Sequence, residues 1–170
     1  MIDNWGSSAE ERAAAYPCDE FITDDAQILF RAVDVDAPAE LVFRWLCQMR
    51  VAPYSYDWID NFGRRSPRRL IDGLDQLELG QRFIIFRLVH FETGRSITLD
   101  SKTAVFGRVV MTYRAEPTSA DRSRLVAKLV VVPPGGLYGA VTRRVLPAGD
   151  LVMMRKQLLT FKALAERSAR

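Results

Sequence analysis

Few side chains in this sequence have the type and setting for chemistry. His90 is the only imidazole, and an imidazole titrates near neutral pH, where it can serve as a general base. It stands at a strand end or turn beside Phe91 and Glu92, with no recognisable partner. A structural or solvent-facing role is the simpler account, and polarising a ligand is the other. Met111, Tyr113, Met153, Met154 and Gln157 form a sharper set. Methionine adapts to varied apolar ligands, and a glutamine on an apolar face needs hydrogen-bond partners or a wet cavity. An ordinary core in which Gln157 bonds to backbone would use the same residues. Tyr54, Tyr56, Trp58 and Phe62 either wall a cavity or staple two helices, and a buried tyrosine hydroxyl in such a wall would make a polar anchor. Arg64, Arg65, Arg68 and Arg69 form a basic loop that is either solvated or set against an anionic head group or membrane surface.

Several classes of chemistry find no support. There is no GxSxG, P-loop or GxGxxG pattern and no Cys/His pair at a useful spacing. Asp57, Asp60 and Glu92 are scattered acids without evident pairing. The two cysteines, Cys18 and Cys47, form no CxxC. With one histidine they cannot complete a zinc site without carboxylates. No metal and no cofactor is expected, and two free thiols suit a reducing compartment. A net charge of +3 is too small to suggest nucleic-acid binding. The N-terminal MIDNWGSSAEER lacks the apolar stretch of a secretory signal. No apolar run approaches the roughly 20 residues that span a bilayer. A cytoplasmic protein without integral membrane association is the expectation.

The elements that must position these residues follow from periodicity. At 48% apolar and 26% charged residues the 170-residue chain reads as one globular domain with a substantial core. Residues 1–26 read as an N-terminal arm packed on the body, with a short helix capped at Ser7 or Ser8 by the S-x-x-E spacing and stopped by Pro17. Gln27 to Val35 reads as a strand apolar on both faces. From Pro38 to Met49, residues Leu41, Val42, Trp45, Leu46 and Met49 share one helical face. A second short helix is expected from Tyr54 to Gly63. Strands follow at 82–89, 96–100, 104–115 and 124–132, the third placing Val105, Val109, Met111 and Tyr113 on one side. Pro133-Pro134-Gly135-Gly136 closes the run. The last stretch, Asp150 to Arg167, reads as a helix about 26 Å long, capped by Asp150 and barred from starting earlier by Pro147. Met153, Met154, Leu158, Phe161, Leu164 and Ala165 share its apolar arc, with Gln157 inside it. Val152 and Leu159 fall on the charged side, facing the connecting loop or a second subunit.

Strands in a run with segregated helices define an α+β class: a curved antiparallel sheet wrapped around a long C-terminal helix, with two short helices after the first strand. An apolar sheet face needs a cover, and the final helix is the element large enough to provide one. A curved sheet around a single helix tends to leave a gap that suits an apolar ligand.

The chain resembles the SRPBCC superfamily, the START-like and Bet v 1-like helix-grip proteins that include polyketide cyclases and dehydrases. Arg31 to Leu46, RAVDVDAPAELVFRWL, is similar to the family's first strand, "DAP" junction and first helix. Tyr54 to Asn61, YSYDWIDN, resembles the "YSYDWLEN" segment of one bacterial subgroup, as do the Trp5-Gly6 arm and Met153 to Leu159. The stretch 80–95 looks shorter than in that subgroup. The resemblance implies a helix-grip fold over nearly the whole chain, with a small hydrophobic molecule, a lipid or polyketide or similar, bound between sheet and helix. Met111, Tyr113, Met153, Met154, Gln157, Phe161, Tyr56, Trp58 and His90 would line that cavity. The alternatives are a cyclase- or dehydrase-like enzyme in which Tyr113, Gln157 or His90 polarises a carbonyl, and an interaction module without ligand. Either a monomer or a homodimer fits.

Overall fold

The computed structural model of the chain describes residues 3–56, 65–104 and 107–170, of which 137, 138 and 142 by backbone alone. In chain order the elements are β1 (Asn4–Trp5), α1 (Ala9–Ala13), a 3-10 turn (Pro17–Phe21), β2 (Gln27–Val35), α2 (Ala39–Cys47) running into a 3-10 turn (Gln48–Arg50), β3 (Arg82–Phe83), β4 (Phe86–Glu92), β5 (Ser96–Thr103), β6 (Gly107–Pro117), β7 (Ser123–Val132) and α3 (Gly136–Ser168). The expected helix from Tyr54 to Gly63 falls largely outside the described residues, and Trp58 with it.

The strands form one sheet in the order β1-β2-β7-β6-β5-β4-β3. Every neighbouring pair is antiparallel except the two-residue β1, which runs parallel to β2. The sheet is therefore mixed where an antiparallel one was expected. The exception is the arm, which doubles back along β2 by way of Gly6. Gly6 has φ +74°, and a Cβ there would collide with the carbonyl oxygen of Ala32, so only glycine permits so close an approach.

Register fixes which side chains share a face, because alternate residues point to opposite sides. One row runs Leu29, Leu129, Met111, Leu99, Leu88, and beside it Arg31, Ala127, Tyr113, Ile97, Phe91. This face meets α2 and α3 in the main core, with Trp45, Leu46, Leu158 and Phe161 fully buried. The opposite face carries the row Phe30, Lys128, Thr112, Thr98, His90. There the arm supplies the cover: Tyr16, Cys18 and Phe21 pack on Phe30, Ala32, Val110, Val126 and Val130. Strand β2 is apolar on both sides because both sides are covered.

Local signals account for most element ends. Ser8 caps α1 in a full capping box, its Oγ accepting from the Glu11 amide at 3.2 Å while the Glu11 carboxylate accepts from the Ser8 amide at 2.7 Å. Helix α2 begins after Pro38, but Asp36 does not cap it. Its carboxylate instead meets Arg122 at 2.9 Å.

Two expectations about the last helix are corrected. Helix α3 starts at Gly136, with Gly135 as its N-cap, and Pro147 lies in its interior. Asp150 is therefore a helical residue and not a cap. A proline inside a helix leaves the carbonyl four residues back without its amide donor. Here that carbonyl belongs to Arg143, and the Gln27 side chain donates to it at 2.9 Å. The carbonyl of Pro147 accepts in turn from Arg31 at 3.4 Å. Strand β2 thus repairs the break, and the 33-residue helix continues for about 50 Å.

Candidate functional site

The inner face of the sheet and the buried stripe of α3 meet at Tyr113. Period-two alternation on β6 turns Met111 and Tyr113 inward together, and helical spacing stacks Asp150, Met154, Gln157 and Phe161 along α3. Tyr113 is fully buried; its hydroxyl donates to Gln157 Oε1 at 2.6 Å and lies 3.5 Å from Met154 Sδ. Gln157 donates through Nε2 to the Pro53 carbonyl at 2.6 Å and lies 3.5 Å from Met49 Sδ. The polar interruption in the apolar arc is thus a bridge that ties β6 to the chain leaving α2. Burial, reinforced by the negative charge of Asp150, pushes the Tyr113 phenol well above its ordinary range.

One turn earlier on α3 a second polar group is buried. Arg31 is completely enclosed and holds Asp150 at 2.8 Å, with further bonds to the carbonyls of Asp3, Phe30 and Pro147. Ala127 stands between Arg31 and Tyr113 in the same cross-strand row. Burial pushes the Asp150 carboxyl up to about 6, outweighing the opposing pull of the Arg31 charge and hydrogen bond.

An opening lies on the flank of this stripe. A cleft of about 230 Å3 separates α3 from residues 54–56 and 66–68; Tyr54, Tyr56 and Leu164 line it together with Arg68, Lys156 and Thr160. Tyr54 belongs equally to the core, its ring 5.3 Å from Phe161 and 6.1 Å from Trp45. A second, more open cleft of about 530 Å3 adjoins at Arg68 and is lined by Arg69, Leu70, Arg167 and Ser168.

The candidates named from sequence are therefore distributed. Tyr113, Met154 and Gln157 are in direct contact; Met111 lies two residues before Tyr113 on the same face, and Phe161 one turn beyond Gln157. Met153 is half-buried, and Tyr56 is half-buried in the wall of the smaller cleft. His90 is not with them. It lies in the last part of β4, where a strand end or turn was expected, and its register partner Thr98 belongs to the face opposite α3. There it is exposed to solvent. Trp58 is outside the described residues. Asp150 with Arg31 was missed, although a charge in the middle of a strand apolar on both sides was a visible signal. Tyr54 was a candidate cavity wall and Leu164 part of the apolar arc, but Lys156 and Thr160 gave no comparable signal, since only tertiary packing brings the four together. Both cysteines are buried and unbridged, and burial raises both thiols, Cys47 to about 12. Neither is suited to act as a nucleophile.

A sheet gripping one long C-terminal helix is a helix-grip fold, and solved structures share it. The chain is similar to the Zhui aromatase/cyclase from Streptomyces sp. R1128, with a TM-score of 0.58 and 17% identity over 85% of this chain and 96% of that one. It is also similar to a protein from Mesorhizobium loti, with a TM-score of 0.57 and 14% identity over 84% of this chain and 98% of that one. Norcoclaurine synthase from Thalictrum flavum, solved with a transition-state analogue, aligns with a TM-score of 0.54 and 12% identity over 86% of this chain and 99% of that one. At these identities the likeness is one of fold. No protein-family model matches the chain, and no curated protein matches it. No helix among the described residues is long and apolar enough to cross a membrane.

Proposed function

We propose that this protein binds a small, largely apolar molecule against α3, in the cleft bounded by Tyr54, Tyr56, Leu164 and Thr160. The observation that carries this reading is the cleft's position. Its floor is the core itself, through the buried Tyr54 and Leu164, so an apolar group entering there meets aromatic and aliphatic surface. Its volume is about 230 Å3, and an apolar cavity of roughly 150 Å3 already holds a benzene ring, so the fit is to a group of one or two rings. The structural neighbours named as aromatase/cyclase and norcoclaurine synthase support the reading by fold. The test is a titration with the neutral probe naphthalenemethanol, followed by NMR at the methyl groups of Leu164, Met153 and Met154. Saturable shifts that disappear in Thr160→Trp, where a half-exposed side chain is enlarged into the cleft, are expected. Absence of shifts, or their persistence in the variant, overturns the reading.

A cyclase- or dehydrase-like reaction is the second reading, favoured by the enclosed Tyr113 hydroxyl next to Gln157. A ligand carbonyl replacing Gln157 Oε1 as its acceptor would be polarised by the same hydrogen bond. Tyr113→Phe should then abolish turnover of a ketide substrate while leaving naphthalenemethanol binding intact; unchanged turnover would remove Tyr113 from any such reaction.

A further inference from the structure

The two clefts beside α3 gather cations. Many arginines elsewhere pair with carboxylates, Arg31 with Asp150, Arg95 with Glu116, Arg108 with Asp100 and Arg124 with Glu11, all within 3 Å, while others, such as Arg50 and Arg87, donate to backbone carbonyls. Lys162 on α3 pairs with Glu166 at 2.8 Å, and Arg155 lies over the Trp5 ring. Arg68, Arg69, Lys156 and Arg167 instead share the adjoining clefts, and no carboxylate lines either cleft among the described residues. Helical neighbours do not neutralise Lys156, because the positions three and four away are Met153, Val152, Leu159 and Thr160. Arg167 is likewise flanked by Ala163 and Leu164, and its guanidinium donates to the Arg68 carbonyl at 3.0 Å, which draws the cations closer together.

We infer that the cleft takes an anionic amphiphile: a ring-sized apolar body on Tyr54, Tyr56 and Leu164, and a carboxylate or phosphate monoester held at the rim by Arg68 and Lys156. The inference rests on the apolar-ligand reading above and adds the head group to it. Uncompensated cations at the mouth of a low-dielectric cleft focus a positive potential there. An arginine fork and a lysine ammonium together match the oxygens of either anion. The hydroxyl of Thr160, one turn from Lys156 on the same side of the helix, is placed at the same rim, where it already donates to the Lys156 carbonyl at 2.7 Å.

The experiment compares naphthoate with its uncharged counterpart naphthalenemethanol, by calorimetry on the full chain. Naphthoate should bind about tenfold more tightly at low salt, and the preference should shrink as salt rises from about 0.05 to about 0.5 M. Arg68→Gln and Lys156→Gln are exposed changes that leave the fold alone. Each should shrink the preference for naphthoate over the alcohol toward unity. Equal binding of acid and alcohol would overturn the inference and leave the apolar-ligand reading standing. Binding of neither would remove both. Vesicles of phosphatidylglycerol that bind where soluble naphthoate does not would also overturn it, showing that the cations serve a lipid surface and not a guest.

Discussion

Asp150 holds its proton more tightly in the folded chain than outside it, because the cost of burying its charge exceeds what Arg31 returns. The consequence for stability has a definite sign. The folded value of about 6 lies above the unfolded value of roughly 3.9, so between those limits the folded state binds more protons than the unfolded one. The contribution of this group is greatest below the lower limit and is lost as pH rises through the upper one. Asp150→Asn, which keeps an acceptor for Arg31 but cannot titrate, should therefore cost more at pH 4.5 than at pH 7, by about 2 kcal/mol. Urea melts of both chains at the two pH values measure it, and a cost that grows with pH would contradict the assignment. The neighbouring Tyr113 and Gln157 were visible in the sequence as polar groups on apolar faces, since a buried hydroxyl and amide must each find a partner. That they find one another was not visible, because their spacing along the chain says nothing about register across the sheet.

At the scale of the element, α3 shows where local sequence signals stop being sufficient. Its second half was legible from periodicity alone, and Met154, Leu158, Phe161, Leu164 and Ala165 of the expected apolar arc are buried. Its first half was concealed by Pro147, which by local rules ends a helix. What overrides the rule is a side chain on a distant strand: Gln27, donating to the carbonyl that the proline orphans. A long-range repair of this kind leaves no trace in a local window. It also predicts non-additivity. Gln27→Ala should destabilise the natural chain by about 1 kcal/mol, the usual loss for one hydrogen bond to a buried acceptor. In a Pro147→Ala background the backbone amide of residue 147 can serve Arg143 itself, and the Gln27→Ala cost should fall to a few tenths of a kcal/mol. Additive effects in that double-mutant cycle would mean that Gln27 does not substitute for the missing donor.

At the scale of the whole molecule, one sheet separates two layers of unequal strength. The inner layer is large and aliphatic, with Leu158 and Phe161 of α3 at its centre. The outer layer is thin and polar-edged: the arm packs Tyr16 and Cys18 onto Phe30 and Val130, and is pinned by the Cys18 amide on Thr112 Oγ1 at 3.2 Å and by Glu11 on Arg124 at 2.7 Å. Lys128, only 5% exposed, lies beneath it, its ammonium 5.1 Å from the Tyr16 ring centre and 2.5 Å from Asp19. Strands such as β2, whose outward residues are as apolar as its inward ones, cannot face water without this cover. Deleting residues 1–26 should therefore uncover Phe30, Ala32, Val110, Val126 and Val130 as one continuous patch. The shortened chain is expected to bind an apolar-surface dye, to self-associate as concentration rises, and to melt at lower denaturant than the full chain. A truncated chain that stays monomeric, binds no dye and melts unchanged would show that the arm is an ornament to the outer face and not its second core.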